Sequence, residues 1–387
     1  MLTKEGCQAR RRRLWETLPD SCDAVLIHSP EHLAYLCAYW PSPFTFRTNE
    51  AGALLVLTRD NATLIGDNLL RPFLDKAFVD ALVTPLWYEG RASAPPRRNL
   101  LMRTAAAFVN DLKPSVLAVE SASVPSGLID LLREAGGIQS CHDVGPLLVG
   151  LRRNKHADEV ATIEAAVRLA SLAQRRVASF VRSGMSEIEV YREVERLCSS
   201  DEGEHCLVYG DFAAGRRARG PNTLPQTTPL RQGDLLILDF SVVISGYRGD
   251  IAQTLCVGGA PSDRQRAVFN ACAAALQVGE ALLTPGAITR EIDAAVRAEL
   301  QRHGFDAKSR GHMGHGVGLG HPEAPFIVPE SDERLQVGDV ITLEPSLFPE
   351  DLEGGVRVEH NYVITDTGFD RLSDHPLALD HAPANIA

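Results

Sequence analysis

Apolar and polar positions follow two different patterns along the chain, with a change near residue 150. In the first stretch the apolar residues come in short blocks. A polar, arginine-rich helix is predicted over about 4–18, and it leads into Ala24-Val25-Leu26-Ile27, a run with strand character. Ala51-Gly52-Ala53-Leu54-Leu55-Val56-Leu57 and Ala62-Thr63-Leu64-Ile65 flank Thr58-Arg59-Asp60-Asn61, the pattern of a hairpin with a polar turn. Pro95-Pro96 marks a surface loop between 91 and 98, a helix is expected near 99–112, and Ser115-Val116-Leu117-Ala118-Val119 reads as another strand. Residues 1–150 therefore read as a small α/β domain, and no catalytic constellation stands out in it.

From Leu151 onward the period lengthens. Val160, Ile163, Ala166, Val167, Leu169, Ala170 and Ala173 recur at the spacing of one buried helical face within 157–182. A second helix begins after Ser186, where Ser186-Glu187-Ile188-Glu189 supplies a capping oxygen and acidic first-turn residues. Helices over 263–283 and 289–303 follow, separated by Pro285-Gly286, the latter closing at His303-Gly304. Strands are expected at 234–244, 248–257, 339–347 and 355–365. Elements that do not alternate regularly point to an α+β domain over 151–387.

Composition narrows the function. The 387 residues carry 39 Lys+Arg against 50 Asp+Glu, a formal charge of −11. An acidic chain without an extended basic face is not suited to displacing counterions from nucleic acid. Arg10-Arg11-Arg12-Arg13 is a local exception that reads as the solvated face of the first helix. No apolar stretch approaches a membrane span, and the charged N-terminus lacks a signal-peptide core. Eight separated cysteines without a CxxC pair read as reduced thiols, so a cytoplasmic location is expected and a zinc–thiolate site is not.

The informative residues are acids inside apolar runs. Asp239 lies in Leu235-Leu236-Ile237-Leu238-Asp239-Phe240, Glu344 in Val340-Ile341-Thr342-Leu343-Glu344-Pro345, and Glu359 in Val356-Arg357-Val358-Glu359. A buried carboxylate needs a partner. Asp250 follows Asp239 across Ile244-Ser245-Gly246, and a hairpin there would bring the two side by side. His315, in Gly311-His312-Met313-Gly314-His315-Gly316-Val317-Gly318, is surrounded by glycines that permit close backbone approach. Any one of these acids alone would read as an ion-paired core residue, and Arg357 could be such a partner for Glu359. Together, four carboxylates and one imidazole suit two divalent cations bridged by carboxylates and a water, a pair able to generate hydroxide and polarise a carbonyl. An oxygen-rich set with one histidine makes Mn²⁺ the metal expected first, with Co²⁺, Fe²⁺ and Zn²⁺ also compatible.

At these residues the chain resembles the pita-bread metallopeptidase family, in its creatinase, aminopeptidase P and prolidase branch. The motifs are Leu-Asp239-Phe, Gly-Asp250-Ile, Gly-His315-Gly-Val-Gly-Leu, Leu-Glu344-Pro and Arg357-Val-Glu359, in the family's order. The resemblance implies a pita-bread catalytic domain behind a smaller creatinase-type α/β domain. It implies that Asp239 chelates one metal, that Asp250 and Glu359 bridge the two, and that His315 and Glu344 complete the other shell, Glu344 also acting as general base. Thr254 and Arg357 match family residues that brace the ligands, and a homodimer is expected by the same analogy.

Two departures bear on substrate. Family members carry a histidine after a Gly-Pro-Asn turn, whereas Gly220-Pro221-Asn222-Thr223-Leu224-Pro225-Gln226 places Gln226 there, a side chain that cannot titrate. The second family histidine before Glu-x-Pro is replaced by Pro322, with His321 one residue early; His321 either reaches the substrate or is a solvated loop residue. His312 and His360 read as structural. The function expected is dinuclear metal-dependent hydrolysis of an Xaa-Pro or other amide bond in a small peptide. The alternative is a non-peptide reaction on a small metabolite, for which the family offers ectoine-type hydrolysis and dimethylsulfoniopropionate cleavage as precedents. A noncatalytic binding protein ranks last because all five ligands are kept.

Overall fold

The computed structural model describes residues 1–41, 52–199, 206–220, 223–305 and 311–380. They form two compact units, Met1–Arg152 and Arg153–Ala387.

The first unit is built on β1 (Ala24–Ile27), β2 (Leu54–Leu57), β3 (Ala62–Ile65), β4 (Ala81–Val83), β5 (Val116–Val119) and β6 (Ser140–Asp143), in the spatial order β4-β3-β2-β1-β5-β6. β1 pairs antiparallel with β2 and parallel with β5, and its four apolar residues are all buried, as a central strand requires. The helices Arg97–Leu112 and Ser126–Glu134 place Leu101, Ala105, Val109, Leu128 and Leu132 in one core with Leu26, Leu54 and Val56. The β2–β3 turn closes through Thr58 N–H to Asn61 O at 2.9 Å, with Asn61 N–H donating to Thr58 Oγ1 at 3.1 Å.

The arginine run departs from the solvated face expected of it. Within the helix Lys4–Thr17, Arg10 is wholly buried and Arg11 nearly so, while Arg12 is exposed. The helix Pro30–Cys37 ends beside them, and its last carbonyls lack intrahelical donors. Arg10 Nε donates to Tyr35 O at 2.5 Å, and Arg11 Nη1 donates to Leu36 O at 2.9 Å and Phe78 O at 2.8 Å. These guanidinium groups therefore satisfy buried backbone oxygens.

In the second unit β7 (Leu207–Ala214), β8 (Leu235–Ile244) and β9 (Tyr247–Cys256) form an antiparallel sheet. A second sheet uses β10 (Gly314–Gly316), β11 (Glu323–Ile327), β12 (Val340–Leu343), β15 (His360–Thr365) and β16 (Gly368–Arg371), ordered β11-β10-β12-β15-β16. The short pair β13 (Ser346–Leu347) and β14 (Val356–Arg357) completes the unit. The β8–β9 hairpin turns on Ser245 and Gly246, both at positive φ (49° and 88°), as a tight two-residue turn demands. The helix Ala157–Phe180 lies close on this hairpin: Gln174 Nε2 donates to Leu238 O and Gln253 Nε2 to Gln174 O, each at 2.8 Å. A Cβ at Gly249 would sit 2.4 Å from Val167 N, so only glycine allows that approach. The helices Asp263–Glu280 and Thr289–Arg302 bring Val268, Cys272, Leu276, Ile292 and Val296 into a core with Ile341, Leu343 and Val356. Along the chain, a mixed α+β unit thus follows an α/β unit. No described helix is long and apolar enough to cross a membrane.

Candidate metal centre

A cavity of about 610 Å³ opens among the strands of the second unit. Asp239, Asp250, His315, Glu344 and Glu359 all line it. Asp239 projects from β8 and Asp250 from β9, but the register is offset from the expected side-by-side pairing. Asp239 faces Ala252, and Asp250 faces Ser241. The two acids share a face of the hairpin on a diagonal, where side chains of neighbouring strands still meet.

The two glutamates occupy breaks between strands. The strand expected over 339–347 stops at Leu343 and resumes at Ser346, because Pro345 has no N–H to donate to a ladder. That over 355–365 is interrupted at Val358 and Glu359. Each break is tied down locally: Glu344 N–H donates to Met313 O and Glu359 N–H to Ala252 O, both at 3.0 Å. His315 sits on β10, squeezed between β11 and β12. A Cβ at Gly314 would lie 2.1 Å from Thr342 O, and one at Gly316 would lie 2.2 Å from Ala324 O. The glycines around His315 thus let three strands pass close enough to aim its ring inward.

His315 Nε2 lies 3.2 Å from Glu344 Oε1 and 3.8 Å from Asp250 Oδ2. Donor atoms of Asp239, Asp250 and Glu359 fall within 4.8 Å of one another, as do those of His312, His315 and Glu344. Thr342 Oγ1 donates to Glu359 Oε1 at 2.6 Å and Ser241 Oγ to Asp250 Oδ1 at 2.9 Å, each leaving a second carboxylate oxygen for another partner. Glu359 Oε2 is buried without a hydrogen bond, and Glu344 Oε1 lies 2.9 Å from His312 Nε2 as well as 3.2 Å from His315 Nε2. Five carboxylates, those of Asp211, Asp239, Asp250, Glu344 and Glu359, share this space with one guanidinium, that of Arg357. An orphaned oxygen in a buried, carboxylate-rich site fits divalent cations.

The charge balance points the same way. Burial pushes the Asp239 carboxyl up to about 7, Arg357 opposing and Asp250 and Glu344 reinforcing the rise. Burial together with the charges of Asp250, Glu344 and Asp239 drives Glu359 well above the ordinary carboxylate range. Burial acts on Asp250 too, but the hydrogen bond and charge of His321 and the charge of His315 outweigh it and hold that carboxyl low. At Glu344 burial is likewise outweighed, by His312, His315 and Arg357, and the carboxyl is lowered. Burial would lower His315, yet Glu344 and Asp250 raise it to about 9. Without cations the cluster retains protons that bound cations would displace.

Residues 161–366 match metallopeptidase family M24, and residues 10–153 match the creatinase/prolidase N-terminal domain. The chain belongs to metallopeptidase family M24. Its sequence is 32% identical over 230 residues to an uncharacterised peptidase of Bacillus subtilis, covering 59% of this chain and 64% of that protein. It is 27% identical over 354 residues to an Xaa-Pro dipeptidase of Pyrococcus horikoshii, covering 92% of this chain and 93% of that one. Among solved structures, the Pyrococcus horikoshii prolidase superposes with a TM-score of 0.78 at 24% identity, over 97% of this chain and 100% of that chain. An X-Pro aminopeptidase from Thermotoga maritima gives 0.81 at 21% identity, over 98% and 99%. At such identities these superpositions speak for the shared M24 architecture.

Within this M24 domain the bracing residues act differently from the simplest sequence expectation. Arg357 does not pair with Glu359: the break at Val358 separates them, and Arg357 Nη1 bonds Asp239 Oδ2 while Nε donates to Ser346 Oγ at 3.0 Å. Thr254 Oγ1 donates to Arg357 O and accepts from Arg357 N, both at 2.9 Å, stitching β14 to β9. His312 was expected to be structural, yet it lines the cavity, 5.0 Å ring to ring from His315. His360 is buried against Ser373, as a structural residue would be. His321 enters the cavity, with Nε2 2.7 Å from Asp250 Oδ2. Gln226 stands apart from it: the side chain is exposed, and its backbone N–H is tied to the buried Glu187 Oε2 at 3.0 Å, so Leu224 is what this segment contributes to the cavity wall. Pro221 and Asn222 lie outside the described residues.

Asp211, Ser241, Thr342 and Asn361 were not singled out from sequence. Ser241 and Asn361 each follow a ligand by two residues, which is the strand period and the signal that could have found them. Asn361 Oδ1 accepts from Asp250 N–H at 2.9 Å and its Nδ2 donates to Asp250 O at 2.6 Å, fixing the backbone beneath that ligand.

Proposed function

We propose that this M24 protein is a two-metal hydrolase of small peptides, acting on amide bonds of the Xaa-Pro type. The observation that carries the reading is the convergence of Asp239, Asp250, His315, Glu344 and Glu359 on one cavity, with a buried Glu359 oxygen that has no hydrogen-bond partner. Asp239 would chelate one cation, Asp250 and Glu359 would bridge, and His315 and Glu344 would complete the second shell. Two cations held there supply an activated water and a polarised carbonyl oxygen. Glu344, a lining residue of the cavity, would take the water's proton. Arg357 and Thr254 keep Asp239 and the β9–β14 contact in place. Tyr209 and Leu224 give the cavity apolar surface against which a pyrrolidine ring or other non-polar side chain can rest.

Loaded with Mn²⁺ or Co²⁺, the protein is expected to cleave Xaa-Pro dipeptides, and Asp250→Asn to abolish cleavage. A protein that holds its metals yet leaves a broad dipeptide panel intact would contradict the peptidase reading. The placement of Gln226 outside the cavity supports a second reading, in which the same metals act on a small metabolite, because no titrating side chain replaces the family histidine there. A metabolite screen by mass spectrometry separates the two.

A further inference from the structure

We propose that His321 is a sixth protein ligand of the metal pair, so that two imidazoles hold the cations. The inference rests on the two-metal reading above and deepens it. His321 Nε2 is 2.7 Å from Asp250 Oδ2, and His315 Nε2 is 3.8 Å from the same oxygen. One ligating atom from each of Asp250, His315 and His321 lies within 4.8 Å of the others. With metal–ligand bonds of about 2.0–2.2 Å, a single ion can touch all three. The two rings stand edge to face, 5.3 Å apart, and Tyr209 packs edge-on against the outer side of His321 at 6.1 Å.

The loop carrying His321 is held at several points. Glu323 Oε2 accepts from Gly320 N–H at 2.9 Å, and Glu323 Oε1 accepts from Lys155 Nζ at 3.0 Å in an ion pair whose side chains are almost wholly buried. A Cβ on Gly318 would meet Glu323 Oε1 at 2.3 Å and Lys155 Cε at 2.9 Å, so this ion pair lies directly against the loop. Arg248 N–H donates to Gly318 O at 3.1 Å and Arg248 Nη1 to Leu319 O at 2.7 Å. Such bracing fixes a side chain at a cation site and would be superfluous around a solvated histidine. A second imidazole also changes the metal: nitrogen donors favour Zn²⁺ and Co²⁺ over Mn²⁺ more than carboxylates do.

The test is X-ray absorption of the Zn²⁺-loaded protein, with Zn²⁺ and Mn²⁺ affinities from competition titration, on the wild type, His321→Ala and His321→Gln. The wild type is expected to show two imidazoles per metal pair. Both variants should show one, with Zn²⁺ affinity falling about 10–100-fold and Mn²⁺ affinity falling less. Glutamine preserves a hydrogen bond to Asp250, so wild-type Zn²⁺ affinity in His321→Gln would overturn the inference by assigning His321 a hydrogen-bonding role. One imidazole per pair in the wild type also overturns it, independently of how the variants fold, and leaves the hydrolase reading standing. Protein that takes up no metal overturns both.

Discussion

Buried acidic side chains are treated in opposite ways at two places, one in each unit. In the first unit Glu120 is buried beside β5, yet both oxygens are used: Oε1 lies 2.6 Å from His32 Nδ1, and Oε2 accepts from His28 N–H at 3.0 Å and Ser29 N–H at 2.8 Å. Burial would raise this carboxyl, but the hydrogen bonds and charge of His32 and the contacts with Ser29 bring it down to about 2. At the cavity of the second unit Asp239 and Glu359 are raised, and Glu359 Oε2 has no hydrogen-bond partner. A satisfied buried charge belongs to the fold, and a crowded, unsatisfied one is a place prepared for something else.

The same substitution in the two regions sharpens the contrast most. Glu359→Gln should lower turnover by on the order of 10³-fold or more in steady-state assays, since it replaces a carboxylate proposed to bridge the cations. In chelator-treated protein it should leave urea stability unchanged or raised, because it relieves crowded carboxylates. Glu120→Gln should do the reverse, costing about 3 kcal/mol in urea unfolding while the metal content is retained. If both variants destabilised the metal-free protein equally, the distinction between the regions would fail.

The pH dependences should also oppose each other. Glu120 has its folded value depressed from 4.5 to about 2, so it contributes fully above about pH 4.5 and its stabilisation, about 3 kcal/mol, is lost as pH falls through about 2. Asp239 has its folded value raised from 3.8 to about 7, so the metal-free second unit should lose stability as pH rises between those values. Added cations should cancel that loss while releasing protons, which calorimetry in buffers of different ionisation enthalpy would detect. A smaller effect is expected from Thr254→Ala, whose side chain touches no carboxylate. Stitching between β9 and β14 is lost, metal affinity should fall about 10-fold in dialysis, and the fold should persist.

How much of this was legible in sequence follows from range. The β8–β9 hairpin, the long helix over its face and the five candidate ligands announce themselves through local pattern: an acid within an apolar run, glycines around a histidine. β10 and β11 did not, because Gly-His-Gly has no strand pattern and Glu-Ala-Pro-Phe-Ile contains a proline, and both exist only through pairing with distant partners. The breaks at Glu344 and Glu359 were hidden for a related reason, since an apolar run shows burial but not where a ladder stops. The buried arginines misled most. Four consecutive charges look solvated until the helix end they serve, some 25 residues away, is folded against them.

The central claim is that the second unit's cavity is a two-metal site. Anomalous diffraction at the manganese edge from crystals grown with Mn²⁺ tests it most directly. Two peaks are predicted among Asp239, Asp250, His315, Glu344 and Glu359, and both should vanish in Asp250→Asn crystals grown the same way. A cavity without an anomalous peak at saturating Mn²⁺, with the carboxylates paired as they are to arginine and histidine, would contradict the account.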